Sequence, residues 1–519
     1  MYSIKLSRRN LLLYKFNQTA KQIFKTRSFS ENANIHDKCG NNVRLLSYDD
    51  LPGPTCYPVI GTLYKYHPLI GDYDADALDK NAWLNWRRYG SLVKEVPGVR
   101  LVHVFDPVDI EAVFRQDGRY PARRSHLAML HYRLSKPHVY NTGGLLATNG
   151  PDWWRLRSTF QKNFTSPQSV REHVRNTDIV TQEFIQWIKE SNVSHNVDFL
   201  PYLNKLNLEV IGMVAFNERF RSFCPEEQAP ESRSNKIIKA AFGSNSGVMK
   251  LDKGFLWKIF KTPLYKKLAQ SQEYLEKVST KIFMERANFF ENKHSEKQYS
   301  LLDSFLNQSN LDMKDVIGMM VDILMAAIDT TAYATSFALY HIGRNKDTQE
   351  KMFAEIMSLL PTKSTNITPE MLAKAIYLRS VIKESLRLNP VSVGVGRFLQ
   401  KDIVLKRYLI PKGTVIVTQN MVASRLPQFV NNPLEFKPER WLRGSPEYEN
   451  IHPFLSLPFG FGPRSCIARR LAEQNMCITL IRLLREFEVT WIGPELGVRT
   501  LLINKPDKPV TLCFTPRTC

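Results

Sequence analysis

The sequence predicts a mainly helical protein with small β-sheets. Asp315 to Gly343 is free of proline and apolar, with small residues at its middle, the pattern of a long buried helix. Leu471 to Phe487 carries an uninterrupted helical pattern behind a glycine-spaced loop, and Ser169 to Phe220 is largely helical with a break near Pro201. The β signals are short by comparison. Val93 to Phe105 alternates around Pro97-Gly98 as a small hairpin, and apolar residues alternate near Val510.

Composition narrows the class. The chain has 519 residues, enough by length alone for three or four domains, yet no linker, repeat or low-complexity tract divides it. Seven cysteines without paired spacing argue against a disulfide framework and for a reducing compartment. The formal net charge is +21, but no basic run is interleaved with stacking aromatics, so nucleic acid is not the expected partner. Seven of those charges lie in residues 1–30, which contain no acid, leaving +14 elsewhere. That surplus suits an acidic protein partner or an anionic membrane surface.

Residues 1–30 are basic and acid-free, with serines and a short Leu11-Leu12-Leu13 patch, the composition of a mitochondrial presequence. Arg27-Ser28-Phe29-Ser30 places a matrix-protease cut after Phe29. A bilayer anchor needs about 20 apolar residues, and this leader has no such run. Residues 30–50 read as a linker. Leu51-Pro52-Gly53-Pro54 and Pro58-Val59-Ile60-Gly61 form a stiff, turn-rich entry to the folded body. Residues 119–149 are basic and turn-rich without clear periodicity, and 225–236 read as a polar loop. Lys250 to Leu268 mixes lysines with Phe255, Leu256, Trp257, Ile259, Phe260 and Tyr265. That pattern fits a membrane-interface segment or an ordinary surface helix.

The chemistry concentrates in Phe459-Gly460-Phe461-Gly462-Pro463-Arg464-Ser465-Cys466-Ile467-Ala468. Cys466 stands before a helix, where the helix dipole and free N–H groups are expected to lower a thiol pKa. Gly460 and Gly462 allow positive φ or close approach of something flat, and Arg464 is a permanent cation beside the thiol. Sulfur on iron and guanidinium on a propionate are what a haem requires. Upstream, Trp153 and Arg157 are four apart on a helix opened by Asp152, with Asn149 as its cap, and they offer either an anion clamp or a surface aromatic–cation pair. Asp329 interrupts an apolar helix and needs a reason to be there, while Thr330 can bond back to a carbonyl one turn earlier. A structural Asp–Thr pair is the alternative to a proton relay. Glu384 and Arg387 face each other across one turn, and Arg379 and Lys383 share a cationic face.

The loop resembles the haem-binding loop of the cytochrome P450 family, Phe-x-x-Gly-x-Arg-x-Cys-x-Gly, through Phe459, Gly462, Arg464 and Cys466, with Ala468 in place of the last glycine. The resemblance covers the chain after residue 50. It implies one body over 51–519, mainly α with small β-sheets, around a buried b-type haem. Cys466 would be the axial iron ligand, and Trp153, Arg157 (a Trp-x-x-x-Arg match) and Arg397 would bind propionates. Asp329 and Thr330 match the proton-relay motif Ala/Gly-Gly-x-Asp-Thr, except that Ala327 replaces its glycine. Glu384, Arg387 and Arg440 match a structural triad, and Arg379 and Lys383 match positions that dock a ferredoxin. The resemblance further implies electrons from NADPH through a ferredoxin reductase and an adrenodoxin-type [2Fe–2S] ferredoxin. The location implied is the matrix side of the inner mitochondrial membrane, held peripherally. Arg123 to Ala128, Asn389 to Arg397, Thr418 to Ala423, Cys466 to Met476 and Thr500 to Asp507 bring the chain nearer to one insect group, the disembodied-type steroid hydroxylases. That likeness implies hydroxylation at carbon 22 of an ecdysteroid precursor. A mitochondrial member acting on another sterol position or a xenobiotic would share the family motifs. A non-catalytic haem-thiolate protein would have no need of Asp329-Thr330.

Overall fold

The long helix predicted from Asp315 to Gly343 runs from Met313 to Arg344 and is the axis on which the other elements pack. The computed structural model describes residues 34–36, 42–191, 197–252, 254, 256–292, 300–308 and 311–518; the proposed presequence, 1–29, lies outside them. In chain order the elements used below are β1 (Leu92–Glu95), β2 (Leu101–Val104), α1 (Leu127–Leu134), α2 (Gly150–Thr165), α3 (Val174–Glu190), α4 (Leu200–Ile211), α5 (Arg233–Asp252), α6 (Pro263–Asn292), α7 (Met313–Arg344) and α8 (Ile376–Leu388). They continue with β3 (Gly396–Phe398), β4 (Val415–Thr418), α9 (Arg469–Glu486), β5 (Phe487–Trp491), β6 (Val498–Leu501), β7 (Ile503–Pro506) and β8 (Leu512–Pro516).

Helix α7 starts cleanly because the Asp312 side chain accepts from the Asp315 N–H at 2.8 Å. It packs against α4, α5, α6, α8 and α9, and its apolar side chains form the centre of the main hydrophobic core. Among the described helices it is the one long and apolar enough to cross a bilayer, and it is buried inside the protein. The expected hairpin is β1–β2, antiparallel, extended to a four-stranded sheet of order β1-β2-β4-β3 with β2 parallel to β4. A second apolar cluster lies on this sheet. β6 and β7 form a hairpin, and β5 pairs with β8.

Several local expectations are corrected. The 119–149 stretch contains α1 and a short helix at Gly144–Ala147. Helix α1 lacks a local cap; instead the Asp252 carboxylate accepts from His126 N–H and Leu127 N–H at 2.6 and 2.8 Å. Helix α5 begins inside the region read as a loop, at Arg233. Asn149 holds the N-cap position of α2 but does not cap it, because its Oδ1 accepts from Arg123 N–H (2.9 Å) and Arg464 Nη2 (2.6 Å). Packing extends upstream of the proline-rich entry: Leu46 exchanges backbone hydrogen bonds with Arg407 and Leu409, and the Tyr48 hydroxyl donates to the Glu95 carbonyl at 3.1 Å.

Candidate functional site

The cysteine loop is closed by its own backbone. Cys466 N–H donates to the Phe459 carbonyl at 2.8 Å, and a short 3-10 turn spans Gly462–Arg464. Gly460 and Gly462 have φ of +72° and +70°, which a side chain would strain, so both glycines are required by the turn. Ala468 has φ −96°, a conformation open to any residue, so alanine fits where the motif carries glycine. Helix α9 begins at Arg469, and Cys466 stands two residues before its N-cap.

The expectation of a lowered thiol pKa is overturned. Burial pushes the Cys466 thiol up, and the Ala468 N–H, Arg157 and Arg123 oppose it without prevailing. The helix terminus is outweighed because the thiol is deeply set. Cys466 nevertheless keeps accessible surface.

Around this thiol the chain gathers cations. Arg464 donates to the Pro121 and Thr148 carbonyls, both at 2.8 Å, and its guanidinium lies 3.8 Å from the Trp153 ring centroid. Trp153, buried, is thus the shelf under Arg464. Arg157, one turn along α2, donates to the Ser465 carbonyl (2.8 Å) and to Gln161 Oε1 (2.9 Å). Arg397 donates to Asp117 Oδ2 (2.7 Å) and the Phe461 carbonyl (2.9 Å). Phe459, partly buried, packs against the main core with Arg469 above its ring.

Two participants were not singled out from sequence. Arg123 donates to the Arg464 carbonyl, and Asp117 holds Arg397. Neither sits at a periodic position, and only the fold brings them here. Burial pushes Arg464 down to about 9 and Arg123 down to about 10, and in both cases neighbouring arginines add to the fall. Arg397 is pushed down by burial against the pull of Asp117. Four buried guanidiniums share one nearby carboxylate, a cradle short of negative charge.

Across the interior, α7 is buried from Asp315 to Ile342 except at Ala326, Ala327 and Thr330. Those three positions share one face and keep accessible surface. The Thr330 hydroxyl donates to the Ala326 carbonyl at 2.7 Å, as the sequence anticipated. Asp329 is 1% exposed, and neither carboxyl oxygen completes a hydrogen bond. Burial drives its pKa up to about 7, against a downward pull from Asn245 and Lys505.

A model of the cytochrome P450 family matches residues 51–514. The chain is a cytochrome P450. "Cytochrome P450 302a1, mitochondrial" of Drosophila melanogaster is 46% identical over 471 residues, covering 90% of this chain and 94% of the relative. "Probable cytochrome P450 49a1" and "Probable cytochrome P450 301a1, mitochondrial", from the same organism, are 30% and 29% identical, each over 91% of this chain and over 83% and 87% of the relatives. The mainly helical single body with small sheets is the P450 fold. This P450 is thus a mitochondrial monooxygenase of a haem-dependent family. The donor set fits that group: a deep, accessible sulfur for iron, and guanidiniums in excess for two propionates.

Elsewhere in the P450, Glu384 is fully buried and accepts from Arg387 Nη2 and Nε at 2.7 and 2.8 Å, from Arg440 Nε at 2.9 Å and from Trp441 Nε1 at 2.9 Å. The structure thus brings the three triad residues together. Arg379 and Lys383 are both exposed on α8, with the Lys383 ammonium 3.9 Å from the Trp441 ring centroid. Burial lowers the Lys383 pKa, and Arg469 and Arg443 add to the fall, so the basic face is larger than two residues.

Proposed function

We propose that this P450 hydroxylates a steroid, at carbon 22 of an ecdysteroid precursor, converting 2,22-dideoxyecdysone to 2-deoxyecdysone. The observation that carries the substrate reading is the 46% identity to one relative across nine-tenths of the chain, taken with the disembodied-type segments noted above. Haem b, when bound, supplies the dioxygen activation; the chain supplies position, dryness and protons. Cys466 would hold the haem iron through its sulfur, since a thiol that coordinates a metal gives up its proton whatever burial does to the free one. Arg157, Arg397 and Arg464 bind propionates, Arg464 being held flat on Trp153. Phe459 covers the sulfur side of the loop. Asp329 takes up protons and Thr330 hands them on at its hydroxyl oxygen; a carboxyl near 7 can be reloaded at neutral pH.

The Glu384–Arg387–Arg440 triad is structural and holds the segment leading to the cysteine loop. Arg379 and Lys383, widened by Arg443 and Arg469, dock an adrenodoxin-type ferredoxin that brings electrons from NADPH through its reductase. Residues 1–29 address the chain to the matrix, and 51–519 form the catalytic body, onto which Leu46 and Tyr48 also pack. Leu256, Ile259 and Phe260, all more than half exposed, dip into the inner membrane from the matrix side, with Lys258 and Lys261 at the headgroups.

The test is turnover of the protein lacking residues 1–29 with ferredoxin, reductase, NADPH and 2,22-dideoxyecdysone, products being read by mass spectrometry and NMR. A single hydroxyl at carbon 22, lost in Cys466→Ser, is the expected result. No steroid product beside a normal thiolate carbon-monoxide spectrum rejects the substrate and leaves a monooxygenase for another sterol or a xenobiotic.

A further inference from the structure

Three acids on α7 recur every seven residues, Asp315, Asp322 and Asp329, and so lie along one stripe of the helix. The first two have arginine partners. Asp315 takes a two-point contact from Arg155, at 2.5 and 3.0 Å. Asp322, buried, lies 2.7 Å from Arg133 Nη1, a charge contact without the angle of a hydrogen bond, and accepts from Leu145 N–H at 2.7 Å. Asp329 has no arginine. What faces it from α5 is an amide, Asn245, also buried.

Asn245 is not free to turn. Its Nδ2 donates to the Met325 carbonyl at 2.9 Å, one helical turn before Asp329. An amide nitrogen carries two hydrogens. With one committed to Met325, the other is left to act on the Asp329 carboxyl, whose oxygens complete no hydrogen bond of their own. The neighbouring residue on α5 is fixed as well: Ser244 Oγ accepts from Gln272 Nε2 at 3.0 Å, and Gln272 Oε1 accepts from Arg133 at 3.2 and 3.3 Å. A buried chain, Ser244–Gln272–Arg133–Asp322, thus ties α5 and α6 back to the same stripe of α7, one turn pair before Asp329. The remaining charge acting on Asp329 is Lys505 of β7, whose ammonium lies 5.6 Å from the Phe242 ring, three residues before Asn245 on α5. From α7 itself the Tyr333 hydroxyl shares the field, and its own ionisation is suppressed, first by burial and then by Asp329.

We propose that Asn245 is the positioning residue of Asp329: anchored on the Met325 carbonyl, it offers its second N–H to the carboxylate and sets how readily that acid holds a proton. This rests on the reading of Asp329 as proton relay, and deepens it. A full positive charge in place of the amide would favour the ionised acid. An apolar side chain would leave it protonated. An amide holds it between these states, poised to exchange a proton near neutral pH.

The test uses the haem-loaded ferric protein with no turnover. A carboxyl whose folded pKa stands above its unfolded value adds stability at low pH. That contribution shrinks as pH rises from about 4 and is gone above the folded pKa, near 7. Unfolding midpoints measured from about pH 5 to 9 in the parent and in Asp329→Asn isolate this decline by difference. In Asn245→Leu the decline is expected to continue about one pH unit further, as loss of a hydrogen bond to a charged group requires. In the Asp329→Asn background Asn245→Leu is expected to move nothing. Asn245→Ser, a smaller donor, is expected to fall between, and it decides the matter against Asn245→Ala should the leucine protein fail to load haem. A decline ending at the same pH with and without the amide overturns the proposal. Product formed per NADPH, read separately, tests the relay: if Asp329→Asn leaves it unchanged, the relay reading falls while the Asn245–Asp329 coupling still stands on the stability curves.

Discussion

Thr330 returns its hydroxyl hydrogen to the Ala326 carbonyl, which leaves the oxygen lone pairs free to accept at a position that keeps accessible surface. A methyl there would keep the space and lose the acceptor. Thr330→Ala is expected to cut product per NADPH to roughly a tenth while NADPH oxidation continues, and Thr330→Ser to restore most of it. Side-by-side measurement of NADPH loss and hydroxylated steroid checks this. Cys466 teaches a different lesson at the same scale. Its place before a helix was readable from Gly460, Gly462 and the pattern after Leu471, but the sign of its pKa shift was not. Helix termini act within one turn, whereas burial is a property of everything packed around the sulfur.

At the scale of elements, Glu384 on α8 is met by two arginines and an indole, with Arg387 and Arg440 also fully buried. Glu384→Gln takes the shared carboxylate from two buried guanidiniums, Arg440 keeping Glu449 as a partner and Arg387 only backbone carbonyls. It is expected to cost about 3–5 kcal/mol, seen in denaturant unfolding of the haem-loaded protein. On the outer face of the same helix, Arg379→Glu with Lys383→Glu is expected to raise the ferredoxin concentration needed for half-maximal turnover about tenfold at low salt, with an unchanged haem spectrum; a tenfold rise that salt does not alter would count against docking by charge. Helix α7 was legible because nothing in it breaks a helix and its ends are capped locally. Helix α1 was not, because the carboxylate that caps it lies on α5, 126 residues beyond His126. The place of Arg123 at the site was not legible for the same reason: its partner carbonyl, on Arg464, is 341 residues away. The basic amphipathic stretch was half legible. Trp257 and Tyr265 turn inward and stack at 5.8 Å, while Leu256, Ile259 and Phe260 stay outside. Helical spacing cannot assign faces across a segment broken into a four-residue helix and a second start at Pro263.

For the whole molecule, net charge and the exposed apolar cluster act together. Lys258, Lys261 and Lys266 are exposed near that cluster, in a chain that keeps a formal +14 without its first 30 residues. Reversing the three lysines is expected to release the mature protein from liposomes carrying anionic lipid, since each basic residue near such a surface contributes about 1 kcal/mol. Co-sedimentation measures it, and undiminished binding would assign the cluster to some other contact.

The buried triad also constrains descent. Surface residues can be exchanged one at a time, because each intermediate folds. Here a first replacement at Glu384 takes the shared carboxylate from two buried guanidiniums, and one at Arg387 or Arg440 leaves Glu384 with a single cation, so the intermediate loses a large part of an ordinary margin of stability. A lineage can therefore alter these three positions only together, a step far rarer than any single change. Drift should rework the loops and the outer faces of helices around them long before it touches this trio.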